Sequence, residues 1–97
     1  MITIEVKNHK FEVTENIKDA LDREILEEKL TDYYDDYDYI VGDWAYGKLR
    51  LKGFTDKQNK RHNEINDSKL IESYIKDYCA YGCKYFILKR INVDKEN

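Results

Sequence analysis

Apolar and polar residues alternate at period two over Ile2-Thr3-Ile4-Glu5-Val6 and again over Lys10-Phe11-Glu12-Val13, the pattern of half-buried strands. Asn8-His9 between them suits a two-residue hairpin turn, because Asn tolerates a positive φ. That register sets Val6 against Phe11 and Ile4 against Val13, and leaves Glu5 opposite Glu12 on the wet face. Ile17, Ala20, Leu21 and Ile25 then recur at helical spacing, with Leu26 and Leu30 at a shifted angle. They predict a helix from Ile17 to about Leu30, capped by Asn16, with Glu24, Glu27 and Glu28 on its outer face.

The stretch Tyr37–Phe54 holds three of the four glycines, the single Trp and the clearest apolar/basic alternation. It reads as a hairpin in the middle of a small sheet. With Ala45-Tyr46-Gly47 as a three-residue loop and Gly47 left-handed, Trp44 closes against Lys48, Val41 meets Leu51 and Ile40 meets Lys52. One face then carries Tyr39, Val41, Leu49 and Leu51 as core. The other carries Ile40, Trp44, Lys48, Arg50 and Lys52, a mixed basic and aromatic surface. The alternative is that the first helix covers that face.

Thr55–Asp67 is polar and long enough to read as a mobile or functional loop, with Lys57, Lys60, Arg61 and His62 making it locally basic. Asp67 or Ser68 can cap a second helix running to Cys79, along the stripe Leu70, Ile71, Tyr74, Ile75 and Tyr78, with Gly82 placed to end it. Cys83–Ile91 is apolar on both faces at its centre and reads as an interior strand. The expected fold is therefore α+β. One small domain spans residues 1–91, with a mostly antiparallel sheet of about five strands (two hairpins plus the C-terminal strand) packed with two helices. Residues 92–97 form a polar tail.

Charge sharpens this picture. The net charge of −3 divides unevenly, with 5 Lys/Arg against 13 Asp/Glu in residues 1–43 and 12 against 7 in residues 44–97. Such polarity can steer a charged partner or draw the two halves together. There is no apolar run near the length of a membrane span and no basic-then-apolar N-terminus, so a cytoplasmic location without membrane association is expected. In that setting Cys79 and Cys83 are most simply free thiols.

Catalytic constellations are missing from the sequence: it has two histidines in predicted turns, no Gly-rich phosphate loop and no Gly-flanked Ser nucleophile. Asp43, between Gly42 and Trp44, is the one acid with a candidate pocket role, against the simpler reading that it hydrogen-bonds the hairpin end. The aspartates at 32, 35, 36 and 38 fail the EF-hand template at Ile40 and Val41. The Cys79/Cys83 pair lacks the further ligands that zinc requires. No cofactor, metal or catalytic residue is assigned.

YDYIVGDWAYGKLRLKGF at residues 37–54 and YCAYGCKYF at residues 78–86 resemble the YutD-like family of small proteins from Gram-positive Bacillota. The family pattern commonly has Gly at the position of Ala45 and Gln at that of Lys48. The resemblance implies a compact mixed α/β domain in the cytosol, and it carries over no catalytic residues because the family's function is uncharacterised. From the residues themselves, the expectation is a non-enzymatic binding or regulatory module. Its site would comprise Trp44, Tyr46, Lys48, Arg50, Lys52, Lys57, Lys60 and Arg61, facing a protein partner. RNA bound by the same face is the alternative, with bases stacked on Trp or Tyr and phosphates on the cations. A small enzyme using Asp43 is the third. On this reading, Arg50 and Lys52 can be replaced by Ala with little loss of stability.

Overall fold

The computed structural model describes residues 2–78 and 83–91; Cys79, Gly82 and the predicted tail lie outside them. Five strands, β1 (Thr3–Val6), β2 (His9–Ile17), β3 (Tyr39–Ala45), β4 (Lys48–Phe54) and β5 (Tyr85–Arg90), form one antiparallel sheet in the order β1-β2-β5-β3-β4. The helices are α1 (Arg23–Lys29) and α2 (Ile71–Tyr78). The α+β class, the five strands and the two helices agree with the sequence reading. The centre does not: β5 is the middle strand, and β4 lies at the edge.

β5 is central because Phe86, Ile87 and Leu88 are apolar in succession, and a strand buried on both faces needs that run. Phe86 and Leu88 join Val6, Phe11, Ile40, Leu49 and Leu26 of α1. Ile87 joins Val41, Phe54 and the α2 residues Ile71, Tyr74 and Ile75. The helices therefore cover opposite faces, α1 one and α2 the other.

Both hairpins close on two-residue turns whose residues all have positive φ, Lys7 (50°) and Asn8 (69°), then Tyr46 (54°) and Gly47 (75°). The first turn is one residue earlier than expected, so Ile4 faces Phe11 and Glu5 faces Lys10. The register slips by two, which leaves every side chain on its predicted face and replaces a Glu–Glu pair by Glu–Lys. In the second hairpin the slip is by one: Ala45 pairs Lys48, Trp44 pairs Leu49, and Asp43 pairs Arg50. That exchanges the faces. Ile40, Trp44, Leu49 and Leu51 face α1, while Val41, Asp43, Lys48, Arg50, Lys52 and Phe54 lie on the α2 side.

The predicted helix at Ile17 is replaced by strand, because Glu15, Asn16 and Ile17 find partners on β5 beyond a bulge after Val13. Lys18 and Asp19, both left-handed, then reverse the chain, and Asn16 Oδ1 accepts from Leu21 N–H at 3.0 Å. Asp22, not Asn16, caps α1, accepting from Ile25 N–H at 3.2 Å. Lys7 Nζ donates to Leu30 O at the other end.

The polar loop after β4 is built, not loose. Buried Thr55 donates its hydroxyl to Asn66 Oδ1 (2.6 Å), and the Asn63 and Asn66 side chains accept the loop's own N–H groups. Asp38 Oδ2 accepts from Asp56 N–H and Asn59 Nδ2, tying the acidic connection to the loop. The scarcity of apolar residues there, Ile65 alone, reflects a polar core of Asx turns rather than mobility. Asp67 caps the 3₁₀ turn Ser68–Leu70 that leads into α2; its carboxyl is held below the ordinary range first by Lys69 N–H and then by His62. A depressed carboxyl contributes stability above its unfolded value near 3.8, and that contribution fades as pH falls through the folded value. Asp67→Asn is accordingly expected to be less stable than the parent in urea at pH 7, with the gap narrowing as the pH is lowered into the acid range.

Cys83 is disulfide-bonded, which departs from the free thiols expected of it. No helix among the described residues is long and apolar enough to cross a membrane.

Candidate functional site

The one-residue change of register separates the residues that the sequence grouped. Trp44 is turned to the α1 side, where its indole N–H donates to Ala20 O at 2.8 Å and Lys84 Nζ lies 5.0 Å from its ring. Lys48, Arg50 and Lys52 remain together on the α2 side of β4. Tyr46 stands fully exposed at the hairpin tip. Lys57 and Lys60 are exposed on the loop, and Arg61 is drawn to Asp36 (3.4 Å) at the acidic connection. The predicted site thus divides into a tip, a β4 stripe and a loop, and the tryptophan belongs to none of them.

Other aromatic residues take its place. A recess of about 350 Å³ is lined by Tyr33, Tyr34, Tyr37 and Tyr74 together with Arg50–Gly53. Tyr33 and Tyr34 meet edge to face at 5.0 Å between ring centroids, and Tyr37 lies against Gly53, where an added Cβ would fall 2.3 Å from its ring. Next to it, sharing Lys52 and Tyr74, runs a groove of about 400 Å³. Its apolar lining includes Phe54, Leu70, Ile65 (75% exposed) and Tyr78 (63% exposed). The Lys52 ammonium sits between the two, 5.2 Å from the Phe54 ring and 6.0 Å from that of Tyr74. The sequence reading passed over these tyrosines as connection and core. The one usable signal was Ile65, an apolar residue alone in a polar loop.

The phenols are tuned by this packing. Tyr37 is pushed up to about 12, first by its hydrogen bond to the Tyr33 hydroxyl (3.2 Å) and then by burial. Burial also raises Tyr34 and Tyr74. A phenol raised in the fold stabilises below its unfolded value near 10, and that share is lost as pH rises through the folded value. The Tyr37 ring is therefore expected to stay neutral at pH 11 in an NMR titration of the tyrosine ring carbons. The thermal midpoint should fall over the same interval, less steeply in Tyr37→Phe.

Asp43 is 2% exposed, with Oδ2 bonded to the Arg50 guanidinium and Oδ1 without a hydrogen-bond partner among the described residues. Its ion pair, not a hairpin cap, explains its position, and it offers no accessible carboxylate to a substrate. Arg50 also donates to Tyr78 O at 3.3 Å. Both bonds tie the guanidinium to this chain's own residues.

A family model described as "Putative antitoxin YutD-like" matches residues 5–89. The chain belongs to the YutD-like family. Among its relatives, "Putative antitoxin YutD" of Bacillus subtilis (strain 168) is 46% identical over 86 residues, covering 89% of this YutD-like chain and 94% of that protein. The solution NMR structure of protein yutD from B. subtilis matches with a TM-score of 0.76 and 44% identity, over 100% of this chain and 88% of that one. The YutD-like fold is therefore shared.

Proposed function

We propose that this YutD-like protein is a non-enzymatic binding module that holds a protein partner on the β4 side of the molecule. The observation that carries this reading is the pair of adjoining recesses, which present uncovered apolar residues, tyrosines and two β4 cations on one continuous surface. Tyrosine and arginine are the side chains that most often dominate protein interfaces, and contiguous exposed apolar surface is seldom left without use. The relative's description as an antitoxin fits such a role, since a small protein of this kind can act by covering another. The RNA alternative keeps the cations but loses its tryptophan, and the surface it would use is indented and partly apolar.

Affinity capture from lysate, with and without ribonuclease, tests the class of partner. Stoichiometric capture that resists ribonuclease is expected, falling at least tenfold in Ile65→Asp and in Lys52→Gln. Ile65→Asp should keep a thermal midpoint close to the parent's, because exposed substitutions usually change stability by less than about 0.5 kcal/mol. Lys52→Gln, half-buried over the Phe54 and Tyr74 rings, should lose about 0.5–1 kcal/mol. Capture abolished by ribonuclease would replace this reading with the RNA one.

A further inference from the structure

β4 ends the strand order, so one of its two backbone edges faces no further strand. The ladder says which residues present that edge. A two-residue hairpin closes on a hydrogen-bonded pair, here Ala45 with Lys48, and alternate residues of β4 then turn their N–H and C=O toward β3. Leu49, Leu51 and Gly53 point theirs the other way. Thr55, next in that series, shows what the outer edge can do. Its N–H donates to Asn66 O (2.7 Å) and its carbonyl accepts from Ser68 N–H (2.8 Å), a parallel bridge to Asp67. The pairing stops there because the chain turns into a 3₁₀ helix at Ser68.

Four residues before Thr55, the Leu51 carbonyl is met by the Tyr34 hydroxyl at 3.4 Å, long for an O–H···O contact. The tyrosine recess surrounds this point. Tyr34 packs with the α1-side core and Tyr74 with the α2-side core, yet both line the same recess. Residues from opposite faces of a sheet can line one cavity only around its rim, so the recess opens on the β4 edge. Arg50 and Lys52 flank Leu51, and the apolar groove continues from Lys52.

We propose that the outer edge of β4 at Leu51 is an addition site for an extended acidic and apolar segment of the partner protein. This rests on the reading above that the partner is a protein. A backbone N–H of the incoming segment takes the Leu51 carbonyl from the Tyr34 hydroxyl, and a backbone carbonyl accepts the Leu51 N–H. Acidic side chains on its α2 side pair with Arg50 and Lys52, and the apolar residues that alternate with them turn to the α1 side. A second copy of the chain fits poorly, because β4 against β4 would set Lys48, Arg50 and Lys52 against the same cations. A nucleic acid has no strand backbone to offer.

The test uses the full chain, ¹⁵N-labelled, and three capped octapeptides: alternating Glu-Val, alternating Lys-Val, and Glu-Val with alternate amides N-methylated. The Glu-Val peptide is expected to shift the Leu51 amide resonance and to slow its hydrogen exchange at least tenfold. The other two should bind at least tenfold more weakly. Tyr34→Phe, which frees the carbonyl and keeps the ring, should tighten Glu-Val binding by about two- to fivefold. The proposal is overturned by an unmoved Leu51 amide at millimolar Glu-Val peptide, or by equal binding of the N-methylated peptide. Equal Leu51 shifts with oligouridylate, or on concentrating the protein alone, would overturn it as well. A ribonuclease-resistant protein partner captured despite a silent Leu51 amide would sink strand addition and leave the binding-module reading standing.

Discussion

Gly42→Ala is expected to be the most damaging single-methyl change in the molecule. Gly42 lies on β3 opposite Phe86 of β5, and a Cβ there would fall 2.2 Å from the tip of the Phe86 ring. Phe86 is fully buried among Phe11, Leu88 and Leu26, so the ring has no free direction in which to yield. Overpacking of this kind typically costs about 1–3 kcal/mol, and the two central strands would have to part, which places the expected loss near 3 kcal/mol. For a domain of this size that corresponds to a fall in thermal midpoint of roughly 12–24 °C. Gly53→Ala provides the control. Its Cβ would meet Tyr37 at 2.3 Å, but Tyr37 is only half-buried beside an open recess and can swing away. A smaller loss is expected there, with disturbed Tyr33 and Tyr37 resonances. Gly42→Ala combined with Phe86→Leu should recover part of the loss in thermal unfolding; no recovery would mean that the ring is not the obstacle.

The same two glycines show why the sequence was readable in one way and not in another. Strand existence followed from period-two alternation, and β5 followed from Phe86-Ile87-Leu88. Face assignment relied on a sheet with one wet face. Here α1 and α2 cover opposite faces, so the leucines of β4 and the Val41–Phe54 pair each find a core, and alternation alone cannot say which face is which. The turn could have decided, but it requires Tyr46 at φ 54°, a conformation that local preference discourages in a bulky residue. A three-residue loop with only Gly47 left-handed looked cheaper. Packing of Trp44 against Ala20 and of Leu49 against α1 outweighs that local cost. The first hairpin was also misplaced, yet a two-residue slip hides its own error.

The site suffered from the same phase. Arg50 and Lys52 were identified as surface cations, and both do border the recess. The aromatic companions expected for them were Trp44 and Tyr46 of the same hairpin, whereas the recess beside them is lined by Tyr33, Tyr34, Tyr37 and Tyr74, brought in by the acidic connection and by α2. Three of these, Tyr33, Tyr34 and Tyr74, lie outside Tyr37–Phe54, and their contact is set by the sheet's edge and not by spacing. The loop at 55–67 was opaque for a different reason. Its order comes from side-chain acceptors satisfying backbone donors, which leaves no hydrophobic periodicity to detect.

Replacing Arg50 carries the second large effect, and it reverses the expectation that this cation is expendable. Asp43 is buried on the α2 side, one of its oxygens bonded to Arg50 and the other unpartnered among the described residues. Removing one member of a buried pair leaves a desolvated charge and costs about 3–5 kcal/mol when both groups are sealed. The Arg50 side chain is 45% exposed, so water can reach the gap and the expected loss for Arg50→Met is nearer 2 kcal/mol. Asp43→Leu combined with Arg50→Met removes both charges and keeps apolar volume, and it should be more stable than Arg50→Met alone, because a buried pair often yields little over a packed apolar one. The coupling measured in this cycle by urea unfolding is expected at about 1–3 kcal/mol. A coupling near zero would mean that Arg50 is held by Tyr78 O and solvent and gains nothing from Asp43.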